Sequence, residues 1–295
     1  MEGSAGAQRR HVLFGYDGTD ENDVALRWAV EEARLRGLDL VLCHCWHWPY
    51  PPGHVDDDVE AIIRRAGENL LERGARRARA LGVPGRVRKR LRGEPVPDAL
   101  VRESHGARLI VVGSHERHQL LAGSTAMQLP ARARRPTVVV RRSAVPQGLV
   151  VVGVDGSPGG EVALGFAIEE AALRGGALEV VCGAWEPGAV AEEELVLFSD
   201  DARLTRHRTA MLERSVRPWR ERYPKVDVRI SLELDRPREV LLKAADSADL
   251  LVVGDRGTGG LDPLLLGATS SAMLHHAPCT VAIVPLSGQA VRRDA

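Results

Sequence analysis

The residues best suited to chemistry lie between Leu250 and Ser270, in the stretch LLVVGDRGTGGLDPLLLGATS. An apolar run ends at Gly254. A loop follows with Arg256, Gly257, Thr258, Gly259 and Gly260, and Gly267-Ala268-Thr269-Ser270 opens a helical pattern. Glycines let the backbone turn with positive φ and approach a ligand closely. Free N–H groups in such a loop and in the first helical turn converge on one spot, where the helix dipole adds partial positive charge. The chemistry this suits is phosphate binding. The competing reading is a plain strand-to-helix connection.

Other phosphate motifs are excluded. No glycine here precedes Lys-Ser or Lys-Thr, and Lys89, Lys225 and Lys243 all lie elsewhere, so the loop is not of the Walker type. The first glycine pair is spaced G-x-x-G, which is not the dinucleotide fingerprint. Two clusters suggest metals. His115-Glu116-Arg117-His118 is one residue short of H-E-x-x-H, so its histidines would not share a helix face, and a solvated loop is expected. Cys43-His44-Cys45-Trp46-His47 carries ligand-type residues, but on a strand Cys43, Cys45 and His47 face opposite to His44 and Trp46. A buried strand end is expected there, with a thiol or zinc site as the alternative. No G-x-S-x-G elbow supports a serine hydrolase. The basic run Arg86 to Arg92 alternates with Val87 and Leu91 and reads as an exposed strand face rather than a nucleic-acid patch.

The elements that must position the loop occur twice. FGYDGTDENDVALRWAVEEARLRGLDL, from Phe14, matches VGVDGSPGGEVALGFAIEEAALRGGAL, from Val152. LIVVGSHE, from Leu109, matches LLVVGDRG, from Leu250. The period is about half the chain, so a duplicated domain is expected, 8–142 and 149–286, joined near Arg142 to Gly148. In each half a strand runs into Asp-Gly-Thr/Ser. A helix starts at Thr19 or Asp20, and at Ser157, and ends at Gly37 or Gly175. A second helix in the first half is predicted from Ile62, Ile63, Ala66, Leu70, Ala75, Ala78 and Leu81. Strands alternating with helices imply an α/β class with a doubly wound parallel sheet, whose ligands sit at the carboxyl ends of the strands. Asp155 and Gly254 would meet at that edge. There Asp155 could accept hydrogen bonds from a base or ribose, or hold a metal indirectly; as an Asx-turn residue it would start the helix, and the two roles are compatible.

These features together resemble the universal stress protein family in its tandem, actinobacterial form. The family's ATP signature is G-x2-G-x9-G-(S/T), and Gly254, Gly257 and Gly267 match it in type and spacing. Ala268 departs from the final Ser/Thr, though Thr269 and Ser270 follow. HHAPCTV, from His275, is similar to the family's stretch before its last strand. The resemblance implies two five-stranded, mainly parallel, adenine-nucleotide-hydrolase-like domains paired through their last strands, as separate subunits pair in single-domain relatives. It also implies an ATP site, with Mg²⁺ optional, lined on the adenosine side by Gly153 and Asp155 and near the base by Gly183. The implied function is a nucleotide-dependent stress-response regulator. The alternatives are a slow ATPase or nucleotide hydrolase and an interaction module with decayed sites. No catalytic residue is identified, because no Lys, arginine finger or placed base is legible as phosphoryl-transfer machinery. In the first half Glu116 replaces the second glycine and the interval to Gly123 is shortened. A weak or empty site is therefore expected from Gly15, Asp17, Gly113, Gly123, Ser124 and Thr125, unless phosphate binds in a shifted register through the last three.

Composition narrows the class. Forty basic and forty acidic residues cancel, removing an overall drive toward nucleic acid. No apolar run approaches the ~20 residues of a membrane helix. MEGSAGAQRR has no apolar core of a signal peptide. The four cysteines fall in or beside strand patterns, which argues against disulfides and makes the cytoplasm the expected location. A homodimer is one candidate assembly.

Overall fold

Apolar runs such as Val12–Phe14 and Leu251–Val253 are buried in parallel strands packed against helices. The structure is a computed structural model, and it describes residues 10–20, 22–46, 57–114, 124–141, 147–184, 201–257 and 265–286. By compactness the chain divides into Met1–His115 and Glu116–Ala295.

The first unit contains β1 (His11–Gly15), α1 (Asn22–Arg36), β2 (Asp39–Cys45), α2 (Asp57–Ala80), β3 (Val87–Arg92), α3 (Val96–Glu103) and β4 (Ala107–Gly113). Its strands are parallel in the order β3-β2-β1-β4. The second unit contains α4 (Ser124–Arg132), β5 (Thr137–Val140), β6 (Leu149–Gly153), α5 (Pro158–Arg174), β7 (Ala177–Gly183), α6 (Asp201–Arg222), β8 (Val228–Glu233), α7 (Pro237–Ala245), β9 (Leu250–Gly254), α8 (Ala268–His276) and β10 (Thr280–Val284). Its order is β5-β10-β9-β6-β7-β8, parallel except that β5 runs antiparallel to β10. The repeat has five strands per half, yet β5 groups with the second unit because Val138 and Val139 are in register with Ala282 and Val281.

The helix boundaries follow local chemistry. Ser157 accepts a hydrogen bond from the Gly160 N–H at 3.1 Å and caps α5, while Pro158 occupies its first turn. Gly37 and Gly175 adopt positive φ, 63° and 64°, where their helices end. The Glu-Glu pair common to both halves also has a reason. Glu32 and Glu170 are fully buried and pair one turn later with Arg36 and Arg174. The inner stripe of α2 differs from the apolar periodicity. Ile62 is 68% exposed, and the buried positions are Gly67, Leu71, Gly74, Ala75 and Ala78. Close approach decides this: a Cβ at Gly74 would lie 2.5 Å from the Tyr16 ring.

Arg141 follows β5 and is buried. Its guanidinium donates to the carbonyl of Ala277 at 2.6 Å and to that of Leu274, closing the C-terminus of α8. A cation there also complements the helix dipole. Arg141→Met is expected to destabilise α8 by about 2 kcal/mol, since hydrogen bonds to charged groups contribute roughly 1.5–3 kcal/mol. Amide exchange in α8 should then be roughly thirty-fold faster. Unchanged exchange would show that the clamp contributes nothing.

Candidate functional site

At the centre of the second unit, β6 and β9 lie side by side in parallel, so their carboxyl ends open on one edge. Beyond β6 the chain turns through Gly156, φ 84°, and Asp155 Oδ1 accepts from the Ser157 N–H at 3.0 Å. This is the Asx turn expected of the Asp-Gly-Ser sequence. Beyond β9, Asp255 is buried and held on several sides. Its N–H donates to the Val284 carbonyl at 2.9 Å, and its Oδ1 accepts from Leu286 N–H at 3.3 Å. Arg256, about one third exposed, donates to its Oδ2 at 3.0 Å. The loop returns to its starting point: Gly267 N–H donates to the Asp255 carbonyl at 2.9 Å, and Ser270 Oγ donates to the Gly254 carbonyl at 2.7 Å.

Those two bonds aim α8. Its first intrahelical bond runs from Ser271 N–H to the Gly267 carbonyl, so the amides of Ala268, Thr269 and Ser270 have no acceptor within the helix. Gly267 at the N-cap provides no side-chain cap, and Ala268 is exposed. The amides that would satisfy an anion are therefore left by the helix itself.

The two strand-end turns approach backbone to backbone. An added Cβ would lie 2.4 Å from the Arg256 carbonyl oxygen at Gly159, 2.9 Å from the Gly159 backbone at Gly254, and 2.3 Å from Asp155 Oδ2 at Gly257. At Gly267 it would meet only ordinary contacts with the described residues, the nearest at 3.4 Å, so among them nothing requires glycine there. What this offers a phosphate is a glycine-lined turn beside amides that α8 leaves without an acceptor of its own.

Of the residues singled out in the sequence, Gly153, Asp155, Gly254, Arg256, Gly257, Gly267, Ala268, Thr269 and Ser270 belong to these two turns and the start of α8. The Ser270 hydroxyl hydrogen is committed to Gly254, so its contribution to an anion is its amide. Gly183 has a packing reason of its own, because a Cβ there would lie 2.6 Å from Pro237 Cα. Thr258, Gly259 and Gly260 lie outside the described residues. So do Glu116, Gly123, the remainder of the His115–His118 cluster, and His47. Among the described residues no group of three or more His, Cys, Asp or Glu could hold a metal ion.

Sequence reasoning missed three residues of the site. Gly159 and Gly160 open α5, where glycine lowers helix stability by roughly 0.5–1 kcal/mol against alanine. That unfavourable choice was the available signal. Arg208 of α6 is buried and donates to the Asp155 carbonyl at 2.9 Å. Its signal was an arginine at four-residue spacing between the buried Leu204 and Leu212.

The first repeat is built differently at the same edge. Asp17 Oδ1 accepts from both the N–H and the hydroxyl of Thr19, each at 2.8 Å. Asn22 stands where the second repeat has Gly160 and is almost fully buried. Its Nδ2 lies 3.5 Å from the Gly15 carbonyl and would be 3.1 Å from a Cβ at Gly113. A side chain thus lies between the ends of β1 and β4, where the second repeat brings backbone against backbone. Ser124 and Thr125 open α4 in the second unit.

The family model for the Universal stress protein family matches residues 8–141 and 149–285. A universal stress protein of Mycobacterium tuberculosis H37Rv is 33% identical over 293 residues, covering 92% of this chain and 96% of that protein. A second from the same strain is 31% identical, covering 95% and 98%. Among solved structures, a universal stress protein from Archaeoglobus fulgidus matches with a TM-score of 0.71 at 18% identity, over 95% of this chain and 100% of that one. That likeness concerns the fold.

Two substitutions separate ligand from scaffold. Gly257→Glu sets a side chain against Asp155 and is expected to lower ATP affinity at least about tenfold, or 1.4 kcal/mol. Gly267→Ala, with room for its methyl group, should keep unfolding within about 1 kcal/mol of the parent yet weaken ATP binding by calorimetry. Parent-like affinity in both would contradict this geometry.

Proposed function

From the premise that the chain belongs to the universal stress protein family, we propose that it binds one adenine nucleotide in its second repeat and acts as a nucleotide-dependent stress-response regulator. One observation supports the proposal: the amides of Ala268, Thr269 and Ser270, which have no acceptor within α8, lie beside the glycine contacts at Gly254 and Gly257. ATP is the expected ligand, with Mg²⁺ an optional companion of its phosphates. The α8 amides and Arg256 would meet the phosphates, and Asp155 and Gly153 would line the ribose side. Bound there, the nucleotide supplies negative charge to a helix terminus that has no cap of its own.

The first repeat is proposed to hold no nucleotide, because Asn22 takes the space and Glu116 replaces the second glycine. Repeats spanning 8–142 and 149–286 are proposed to join through their last strands, a reading supported by the register of β5 with β10. The proposed setting is the cytoplasm. Among the described residues no helix is long and apolar enough to cross a membrane.

Regulation is favoured over turnover by the lysine-free loop, in which no placed base is legible. Titration of the full chain is expected to saturate at a single equivalent of ATP, and Asp155→Ala to weaken binding about tenfold. Phosphate release should stay at the buffer rate. Steady release abolished by Asp155→Ala would instead make the protein a hydrolase, and no measurable affinity for ATP, ADP or AMP would leave an interaction module.

A further inference from the structure

The turn after β6 is not fixed by its own residues. Gly156 adopts φ 84°, a region that glycine enters as readily as its mirror image, so the local sequence leaves open which way the Asp155–Gly156 peptide faces. The carboxylate of Asp155 depends on that choice. Its Oδ1 is tied to the Ser157 N–H at 3.0 Å, and its Oδ2 lies toward Gly257, 2.3 Å from where a Cβ would be. A group that holds the Asp155 carbonyl therefore also sets its carboxylate.

Helix α6 supplies that group. Arg208, Met211 and Ser215 recur at spacings of three and four, which places them on one face. Each meets the turn or the helix that the turn opens. Arg208 Nη1 donates to the Asp155 carbonyl at 2.9 Å. Met211 covers Gly156, its Sδ 3.1 Å from the position of a Cβ. Ser215 Oγ donates to the carboxylate of Glu161 in the first turn of α5. Arg208 is only 2% exposed. A buried guanidinium is costly unless its N–H groups are matched, and a bond from a charged donor is stronger than one between neutral groups. The carbonyl is thus held more firmly than by water.

The first repeat lacks this arrangement. Leu70 of α2 covers Gly18 as Met211 covers Gly156, its Cδ1 2.8 Å from the position of a Cβ, and the next residues, Leu71 and Leu212, are both buried. Counted back from there, the α2 position equivalent to Arg208 is Gly67. It carries no side chain, and a Cβ there would lie 2.8 Å from Leu91. In this repeat His44 Nδ1 lies 2.9 Å from the carbonyl of Tyr16, one residue earlier in the turn. The buried arginine accompanies the repeat whose strand ends close backbone to backbone. It is missing from the repeat that Asn22 fills.

We propose that Arg208 is a positioning residue of the nucleotide site, a role that rests on the nucleotide reading of that site. By holding the Asp155 carbonyl it fixes the carboxylate that lines the ribose side. It acts only through Asp155, so removing the arginine and removing the carboxylate are not independent losses.

The test is a double-mutant cycle on the full chain, read as ATP affinity by calorimetry. Arg208→Met and Asp155→Ala are each expected to weaken ATP binding about tenfold. The double variant should also lose about tenfold, not the roughly hundredfold of independent sites. Arg208→Gln, which keeps a neutral donor, gives the same cycle should the methionine variant not fold. Arg208→Lys keeps a charged donor and should bind within about threefold of the parent. Val216→Ala, at a buried position two turns further along α6, loosens the same helix without removing the bond, and should stay within about twofold. With ATP bound by the parent, three results would each overturn the role: parent-like affinity in Arg208→Met, additive losses in the double variant, or a loss in Val216→Ala as large as that in Arg208→Met. No ATP binding by the parent would overturn the nucleotide reading, and this role with it.

Discussion

The site depends on one close approach. The turn after β6 and the turn after β9 approach backbone to backbone at Gly159 and Gly254, and Gly257 leaves room for the Asp155 carboxylate. A methyl group at Gly159 would sit well inside van der Waals contact with the Arg256 carbonyl, closer than packed atoms tolerate. Once that contact is allowed, the Gly267 N–H can donate to the Asp255 carbonyl, Ser270 can reach the Gly254 carbonyl, and α8 begins beside the β9 turn with amides that have no acceptor within the helix. Each later feature of the site follows from this absence of side-chain volume.

The contrast between the repeats shows the same constraint from the other side. Both retain the strand, the Asp-Gly turn and the capping hydroxyl, Thr19 in one and Ser157 in the other. They diverge at the next residues, where Glu21-Asn22 replaces Gly159-Gly160. One buried amide side chain, Asn22, is enough to occupy the interval between strand ends. The turn chemistry that starts a helix and the backbone proximity that makes an anion site are therefore separable. The first repeat keeps the former, and at the same edge it carries Cys45 in place of a glycine. Arg141, which belongs to that repeat, reaches the carbonyls at the end of α8 and so steadies the helix that bears the site.

Much of this was legible in the sequence, for physical reasons that differ by residue. Helix ends at Gly37 and Gly175 and the cap at Ser157 are local, set by side chains within a few positions, and the structure has them where expected. Gly254, Gly257 and Gly267 were legible because spacing alone relates them. The roles of Gly159, Asn22, Arg141 and Arg208 were not, since each is defined by a partner distant in sequence: Arg256, Gly113, Leu274 and Asp155. The inner face of α2 was legible only in part, at Ala75 and Ala78, for a related reason. Apolar periodicity counts large side chains, whereas Tyr16 and Leu91 select Gly74 and Gly67 by leaving no room for anything larger.

The central claim is that backbone amides at the start of α8 take the phosphates. Titration of the ¹⁵N-labelled chain with ATP, and separately with adenosine, addresses those amides directly. The account predicts that the Ala268, Thr269 and Ser270 resonances shift with ATP, saturate together and stay nearly still with adenosine. It would be contradicted if ATP bound while those three remained unmoved, or if adenosine displaced them as far as ATP does.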